Sequence, residues 1–597
     1  MNRSPRRDVS GLNASDLTIE MALYLLAFIL ALSLRLLNLG QAPLTDGEAT
    51  WALQAWQVAR PGAAAFIPGP QPAYIFLTGA TFTIFGASEF WARFWPALAG
   101  ALLVWSPFLF RHPLGRKTAL VLAFGLALDP GLVTVSRQAG GPMLALGFGL
   151  LALAFWYARH PASSGLLAGL AVLSGPAFWP GVLGIGLAWL ISRLLHRSAS
   201  PSGDVFDETG QSSPFPSPAE TTRGLAVFLV VLLGVGTYLL RYPQGLAAAF
   251  ASLTAYLDGW TILSRISPLA MVAALLVFQP LAVIFALVSL GRWLARRFQL
   301  EIADPYPLLL PLLWMLTSLL LTLVYPSRQV SDLVWVLVPL WALAAEGLAE
   351  YLPGSKPHVI SWMQAGLVLV LAALFWNTLI ATSQIVPQTE LPWPVIQAAI
   401  LVGILVLGAL TTSLVALGWS WQISRDGLVW GLAAALLVYT TSALWGAAQL
   451  RPNEPHELWG QPPVAGQVHL TMKTLRDLSN WQTGLGNKID LVSTVDTPSM
   501  RWALRDFSAA HFASEIPTGE MPAVIITRQS AETPALTAAY RGQDFVWWVH
   551  PAWSGPFPDD FIAWLTFRKA SLGYEYIILW ARGDLFPGGS AAAQIAP

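Results

Sequence analysis

Two carboxylates, Asp46 and Glu48, stand just past the first apolar stretch of the chain, in RLLNLGQAPLTDGEATWALQAW. A carboxylate placed there can take a proton from an attacking hydroxyl or hold a metal. The same residues also fit a purely structural role. Thr45-Asp46-Gly47-Glu48 reads as a capping box, with Thr45 as N-cap and Glu48 reaching back, and acids favour a first helical turn. Three cations sit in comparable places: Arg137 in SRQAGGP, Arg328 in YPSRQVSD, and Arg265 in a loop that also carries Tyr256, Asp258 and Trp260. A guanidinium matches the geometry of a phosphate, and it serves equally well as a snorkelling anchor at a helix end. Arg35, one turn inside the first apolar stretch, reads as such an anchor. The chain has no cysteine, which excludes disulfides, thiolate metal sites and cysteine nucleophiles. Its eight histidines include no pair at helical metal-ligand spacing.

The elements that must position these residues are apolar helices. Of 597 residues, 55% are hydrophobic and 11% charged, where a soluble chain carries about a quarter charged. Net charge is +0, so nothing attracts nucleic acid electrostatically. Apolar runs long enough to span a bilayer fall near 19–39, 91–110, 118–134, 143–158, 163–177, 180–195, 224–240, 267–290, 307–325, 333–350, 359–380, 394–418 and 428–448, about thirteen in all. The first is followed by no small-residue cleavage pattern and reads as a retained helix. Between the first two runs lie two amphipathic stretches, 46–59 and 72–86, expected to rest at the outer interface. Lys and Arg concentrate in one alternate set of loops, including Arg111, Arg116, Lys117, Arg193, Arg197, Arg292, Arg296 and Arg297. That set is expected to be cytoplasmic. The N-terminus is then inside, with Asp46, Glu48, Arg137, Arg265 and Arg328 outside.

Residues 198–222 are rich in Ser and Pro and read as a disordered cytoplasmic loop. After residue 450 the composition changes. Charges and turn residues return, and runs such as PAVIIT and YEYIILWAR have strand character. The expected organisation is an all-α polytopic membrane domain over 1–450 and an extracytoplasmic α/β domain over 451–597. Trp547, Trp548, Trp553 and Trp564 of the latter read as core aromatics rather than a sugar platform. The sequence shows no inverted repeat and no matching pair of broken helices, which argues against a transporter.

Together these segments resemble the GT-C superfamily of membrane glycosyltransferases, above all the protein O-mannosyltransferases and aminoarabinose transferases. RLLNLGQAPLTDGEATWALQAW is similar to that group's first-helix exit and acidic loop. FGASEFWARFWPALAGALLV resembles the approach to its second span, and LALDPGLVTVSRQAGGPMLALGF its third-to-fourth-span turn. The tail, YRGQDFVWWVHPAW through FIAWLTFRKASLGYEYIILWARGDL, resembles a related group described as flippase-activity-associated. The resemblance implies a plasma-membrane enzyme of the cell envelope. It would move a sugar from a polyprenyl-phosphate donor to a protein, lipid or glycan acceptor at the extracytoplasmic face. Asp46 or Glu48 would act as base, and Arg137, Arg328 and Arg265 would bind phosphate. The alternative is a non-catalytic relative that assists translocation or assembly of lipid-linked sugars. Two features depart from the family pattern. Gly47 separates acids that are usually adjacent. Gly140-Gly141-Pro142 stands where metal-binding relatives carry an acid, so the sequence supports no divalent metal site and no other cofactor.

Overall fold

The computed structural model describes residues 14–60, 68–199, 217–264, 266–298, 306–352, 358–383, 393–450, 457–459, 463–516, 519–530, 534–553, 555 and 557–586. Arg265 and most of the expected loop at 198–222 lie outside the described residues.

The chain is a multi-pass membrane protein: a mostly helical body followed by a sheet domain. Its first helices are α1 (Ala14–Leu36), α2 (Asp46–Ala59), α3 (Pro72–Phe85), α4 (Glu89–Leu102), α5 (Arg116–Leu128), α6 (Pro130–Ser136) and α7 (Pro142–Tyr157). Every one of the thirteen expected spans falls on helix, but their lengths differ from expectation. Among the described residues, seven helices are long and apolar enough to cross a bilayer, or nine if each of two bent pairs is one span. Others, such as α7 and the helix Pro161–Val172, are shorter apolar rods. Hydropathy counts apolar residues and does not register where the backbone turns. The helices expected at 46–59 and 72–86 form, but α3 is apolar all round rather than amphipathic. Its Tyr74, Ile75 and Phe82 are buried against Ala49, Ala52 and Ala55 of α2.

The bent pairs interrupt two of the runs expected as single spans, 118–134 and 267–290. α5 and α6 meet at 55° across Asp129-Pro130, and Pro268–Phe278 meets Pro280–Phe298 at 89° across Gln279-Pro280. Each break has the same cause. Proline lacks the N–H that would bond four residues back, and it pushes its predecessor out of the α region. Asp129 turns the defect into a cap, its Oδ1 accepting the Leu132 N–H at 2.7 Å. Its Oδ2 accepts the Trp341 indole N–H at 2.8 Å. The carbonyls left over at the end of α5 are taken by Arg35, which donates to Leu126 O at 3.2 Å and Ala127 O at 3.3 Å. Arg35 also donates to Ser136 Oγ at 3.1 Å and is fully buried. It is therefore an internal cap of a broken helix, not the snorkelling anchor expected, because orphaned carbonyls inside the body need a donor. Gly100 of α4 makes room for it: a Cβ there would lie 2.1 Å from Ser136 Oγ and 2.9 Å from Arg35 Nε.

Among the described residues the C-terminal domain holds a six-stranded mixed sheet of β1 (Val464–Ala465), β2 (Leu491–Ser493), β3 (Ala510–Phe512), β4 (Val524–Arg528), β5 (Tyr540–Pro551) and β6 (Leu572–Arg582). The order is β1-β5-β6-β4-β2-β3, with β2 parallel to both β3 and β4 and the remaining pairs antiparallel. PAVIIT becomes β4 and YEYIILWAR becomes β6, as their β-branched and aromatic content predicts. One face carries a core of its own, including Leu475 and Leu478 from the helix Val468–Thr483 with Val524, Ile526, Phe545 and Leu579. Trp547 and Trp548 belong to that core. Trp564 does not: it packs with Trp459 into the core of the helical body, edge-on to Phe278 at 6.4 Å.

Candidate active site

The loop leaving α1 is held by arginines from two other segments. Arg137 Nη1 donates to Leu34 O, Arg35 O and Leu37 O at 3.1, 3.1 and 2.6 Å. It thus caps the last carbonyls of α1, where a cation also complements the helix dipole. Arg93, from α4, donates to the loop carbonyls of Leu39, Ala42 and Pro43. Its two remaining N–H groups form a fork with Glu48, Nε to Oε1 and Nη2 to Oε2, both at 2.7 Å. Such a bidentate pair is the strong geometry for an ion pair, and here both partners are buried.

Glu48 is fully engaged. The capping box is present, with Oε2 accepting the Thr45 N–H at 3.0 Å and Thr45 Oγ1 receiving the Glu48 N–H. Oε1 also accepts the Ala139 N–H at 2.9 Å. Burial pushes the Glu48 carboxyl up. The Arg93 guanidinium and the N–H groups of Thr45 and Ala139 more than offset this, so it sits below the ordinary carboxylate range. The side chain ties together the loop after α1, α4 and the turn that carries Arg137. With its lone pairs spent and its proton affinity lowered, it is a weak proton acceptor.

Asp46 faces the other way. Its Oδ1 accepts the Ser499 N–H of the C-terminal domain at 3.0 Å. Further bonds dock the domain nearby: Trp502 Nε1 to Glu89 Oε1 at 3.0 Å, Arg505 Nη2 to Ala87 O at 3.2 Å, and a His469 Nε2 contact with Gln41 O at 2.9 Å. The start of α2 therefore lies between two openings. One, of about 390 Å³, is lined by Glu48, Arg93, Arg137, Asn38, Gln138 and residues of β1. The other, of about 380 Å³, is lined by Asp46 and residues of β4, β5 and β6.

Arg137 keeps its Nε and Nη2 without a partner among the described residues while lining the first cavity. Burial, with the like charge of Arg93, pulls its pKa down to about 10, which leaves it protonated at neutral pH. Arg328 is not brought to this cavity. Its Nη1 donates to Ile266 O at 3.0 Å, in a loop packed against Tyr256 and Tyr325. Short loops at distant positions in the chain need not meet in one site. Among the described residues no three His, Asp or Glu side chains come together as a metal site requires. Sequence reasoning missed Arg93 as the partner of Glu48. The available signal was a charge four residues into an apolar helix, a position that calls for a buried counter-charge.

No family model matches the chain, and no curated protein matches it in sequence. Solved structures do. The crystal structure of ArnT from Cupriavidus metallidurans bound to undecaprenyl phosphate superposes with a TM-score of 0.50 at 14% identity, covering 96% of this chain and 99% of that one. The structure of the same protein in the apo state gives 0.45 at 16% identity, over 82% and 84%. At 14% identity the likeness to the lipid-bound structure concerns architecture, and it spans nearly both whole chains. The chain therefore has the overall fold of that ArnT structure.

Proposed function

We propose that this protein transfers a sugar from a polyprenyl-phosphate donor to an acceptor hydroxyl. The observation that supports this reading best is Arg137, held by the α1 carbonyls with part of its guanidinium free, at a cavity whose other side is the acid-bearing loop. The ArnT structure of the same fold carries undecaprenyl phosphate, which agrees with a lipid-phosphate donor here. In the proposed step the acceptor oxygen bonds to the anomeric carbon as the bond from that carbon to the phosphate oxygen breaks. The electron pair leaves on the lipid phosphate, whose growing charge Arg137 compensates. The acceptor enters from the second opening, on the other side of the start of α2, and its proton passes to Asp46 there, the acid whose second oxygen is not engaged by a described partner. Glu48 and Arg93 serve as the scaffold that sets both groups. Arg328, held by Ile266 O away from this cavity, would act on the lipid outside it.

Incubating the purified protein with a panel of polyprenyl-phosphate sugars and measuring released lipid phosphate tests this directly. Release from at least one donor, lost in Arg137→Ala, is expected. No release from any donor would favour the non-catalytic role in handling lipid-linked sugars.

The charge pattern further supports an orientation with the N-terminus cytoplasmic and residues 451–597 outside, in the plasma membrane that the sequence resemblance implies. Protease added to intact cells is then expected to remove the C-terminal domain and to spare residues 198–222. The reverse cleavage pattern would invert the orientation.

A further inference from the structure

The second opening, between the start of α2 and the C-terminal sheet, differs in chemistry from the first. It is walled by aromatic side chains and edged by unspent charges. A β-bulge builds the wall. In the β5–β6 ladder Val546 pairs with Tyr576 and Trp548 with Glu575, so Trp547 is the extra residue. A bulge re-aims side chains that would otherwise alternate across the sheet. Trp547 and Trp548, consecutive in sequence, accordingly both line the cleft and both belong to the domain's core. Their rings meet at 6.0 Å and 69°. Across from them on β6, Tyr574 and Tyr576 lie two residues apart and so share a face, with ring centroids 6.3 Å apart. Tyr574 is 49% exposed.

The polar groups are arranged around that wall. Trp547 is 2% exposed, yet its indole N–H has no hydrogen-bond partner among the described residues. A buried donor without an acceptor is costly unless something else supplies one. Arg528 and Glu575 line the same cleft and make no ion pair or side-chain hydrogen bond with described residues. Asp46 closes the near end, only two positions from Glu48 in the first cavity.

We propose that this cleft is a saccharide subsite, which seats sugar rings of the acceptor and presents a hydroxyl to Asp46. The proposal rests on the transferase reading above and adds the acceptor's class to it. A pyranose has apolar C–H faces that stack on aromatic rings and hydroxyls around its rim that pair with carboxylate, guanidinium and indole N–H. The cleft offers each of these, and its volume of about 380 Å³ suits one or two rings. A lipid chain would find too many charged groups here. A phosphate would find the carboxylates of Asp46 and Glu575 opposing it.

The test uses the full-length protein in detergent, with cellobiose, maltotriose, mannobiose and chitobiose as probes and an uncharged peptide as control. Saturation-transfer NMR is expected to show contact with ring C–H protons of at least one saccharide. Tyr574→Ala is expected to weaken that binding about threefold to tenfold, as loss of one ring contact implies, and Glu575→Gln to weaken it as well. Tyr574 is half exposed, so its truncation leaves the fold intact. Arg137→Ala, which belongs to the first cavity, is expected to leave saccharide binding unchanged. Absence of any saccharide signal, binding of the peptide alone, or saccharide binding indifferent to both Tyr574→Ala and Glu575→Gln would overturn the inference. Saccharide binding that depends on Tyr574, without lipid phosphate released from any donor, would keep the subsite and remove the transferase reading. Release of lipid phosphate without saccharide binding would do the opposite.

Discussion

Asp46→Asn is expected to lower turnover by a factor on the order of 10²–10⁴, the usual contribution of a general base, while the melting temperature hardly moves. The asparagine side-chain oxygen can still accept the Ser499 N–H, so the docking of the C-terminal domain survives. What is lost is the place for the acceptor's proton and a modest first-turn charge, worth roughly 0.3–1 kcal/mol. Glu48→Gln should behave differently. It breaks the fork to Arg93 and leaves that guanidinium buried without a counter-charge, so stability and turnover should fall together. Parallel activity and melting measurements on the two variants separate the roles. An Asp46→Asn protein with full turnover would remove Asp46 as base and strengthen the non-catalytic reading.

Arg93→Ala is expected to cost on the order of 3–5 kcal/mol of stability, because removing one partner of a buried pair strands the other charge. Three loop carbonyls lose their donor in the same change. The double variant Arg93→Met, Glu48→Met should recover much of the loss, since neither charge then remains. The pH dependence gives an independent check. In the native protein the Glu48 carboxyl lies below its ordinary range. Its contribution is therefore complete above the unfolded value and disappears as pH falls through the folded one. Without Arg93, burial dominates and raises the folded value above the unfolded one. Lowering the pH from neutral toward the unfolded value should then stabilise Arg93→Ala, whereas the parent holds this contribution unchanged there and loses it only below the unfolded value. Thermal melts of both proteins from neutral to acidic pH would show the variant gaining stability where the parent does not. Equal pH dependence above the unfolded value would mean that Arg93 is not what holds the carboxylate ionised.

Much of the architecture was legible in local sequence. Apolar runs became helices because burying backbone in an apolar medium leaves helix as the economical solution. The capping box at Thr45 and Glu48 formed as written, since a cap is settled within four residues. PAVIIT and YEYIILWAR became strands for an equally local reason. Even the breaks were readable in principle, as Asp129-Pro130 and Gln279-Pro280. They pass unnoticed in a hydropathy profile because proline in an apolar run scarcely changes its average.

The use made of each charge was not legible. The sequence alone determined that Asp46 and Glu48 begin one helix, and that Arg93 and Arg137 sit at the ends of apolar stretches. Only the tertiary structure decided that Glu48 meets Arg93, 45 residues away, and the Ala139 amide, 91 residues away. It likewise decided that Asp46 turns toward Ser499, 453 residues away, and that Arg328 stays with Ile266 instead of joining Arg137. Helix periodicity fixes which way a side chain points from its own axis. Which partner waits there depends on how helices and sheet pack, and that packing minimises buried unpaired charge over the whole molecule rather than over any one segment.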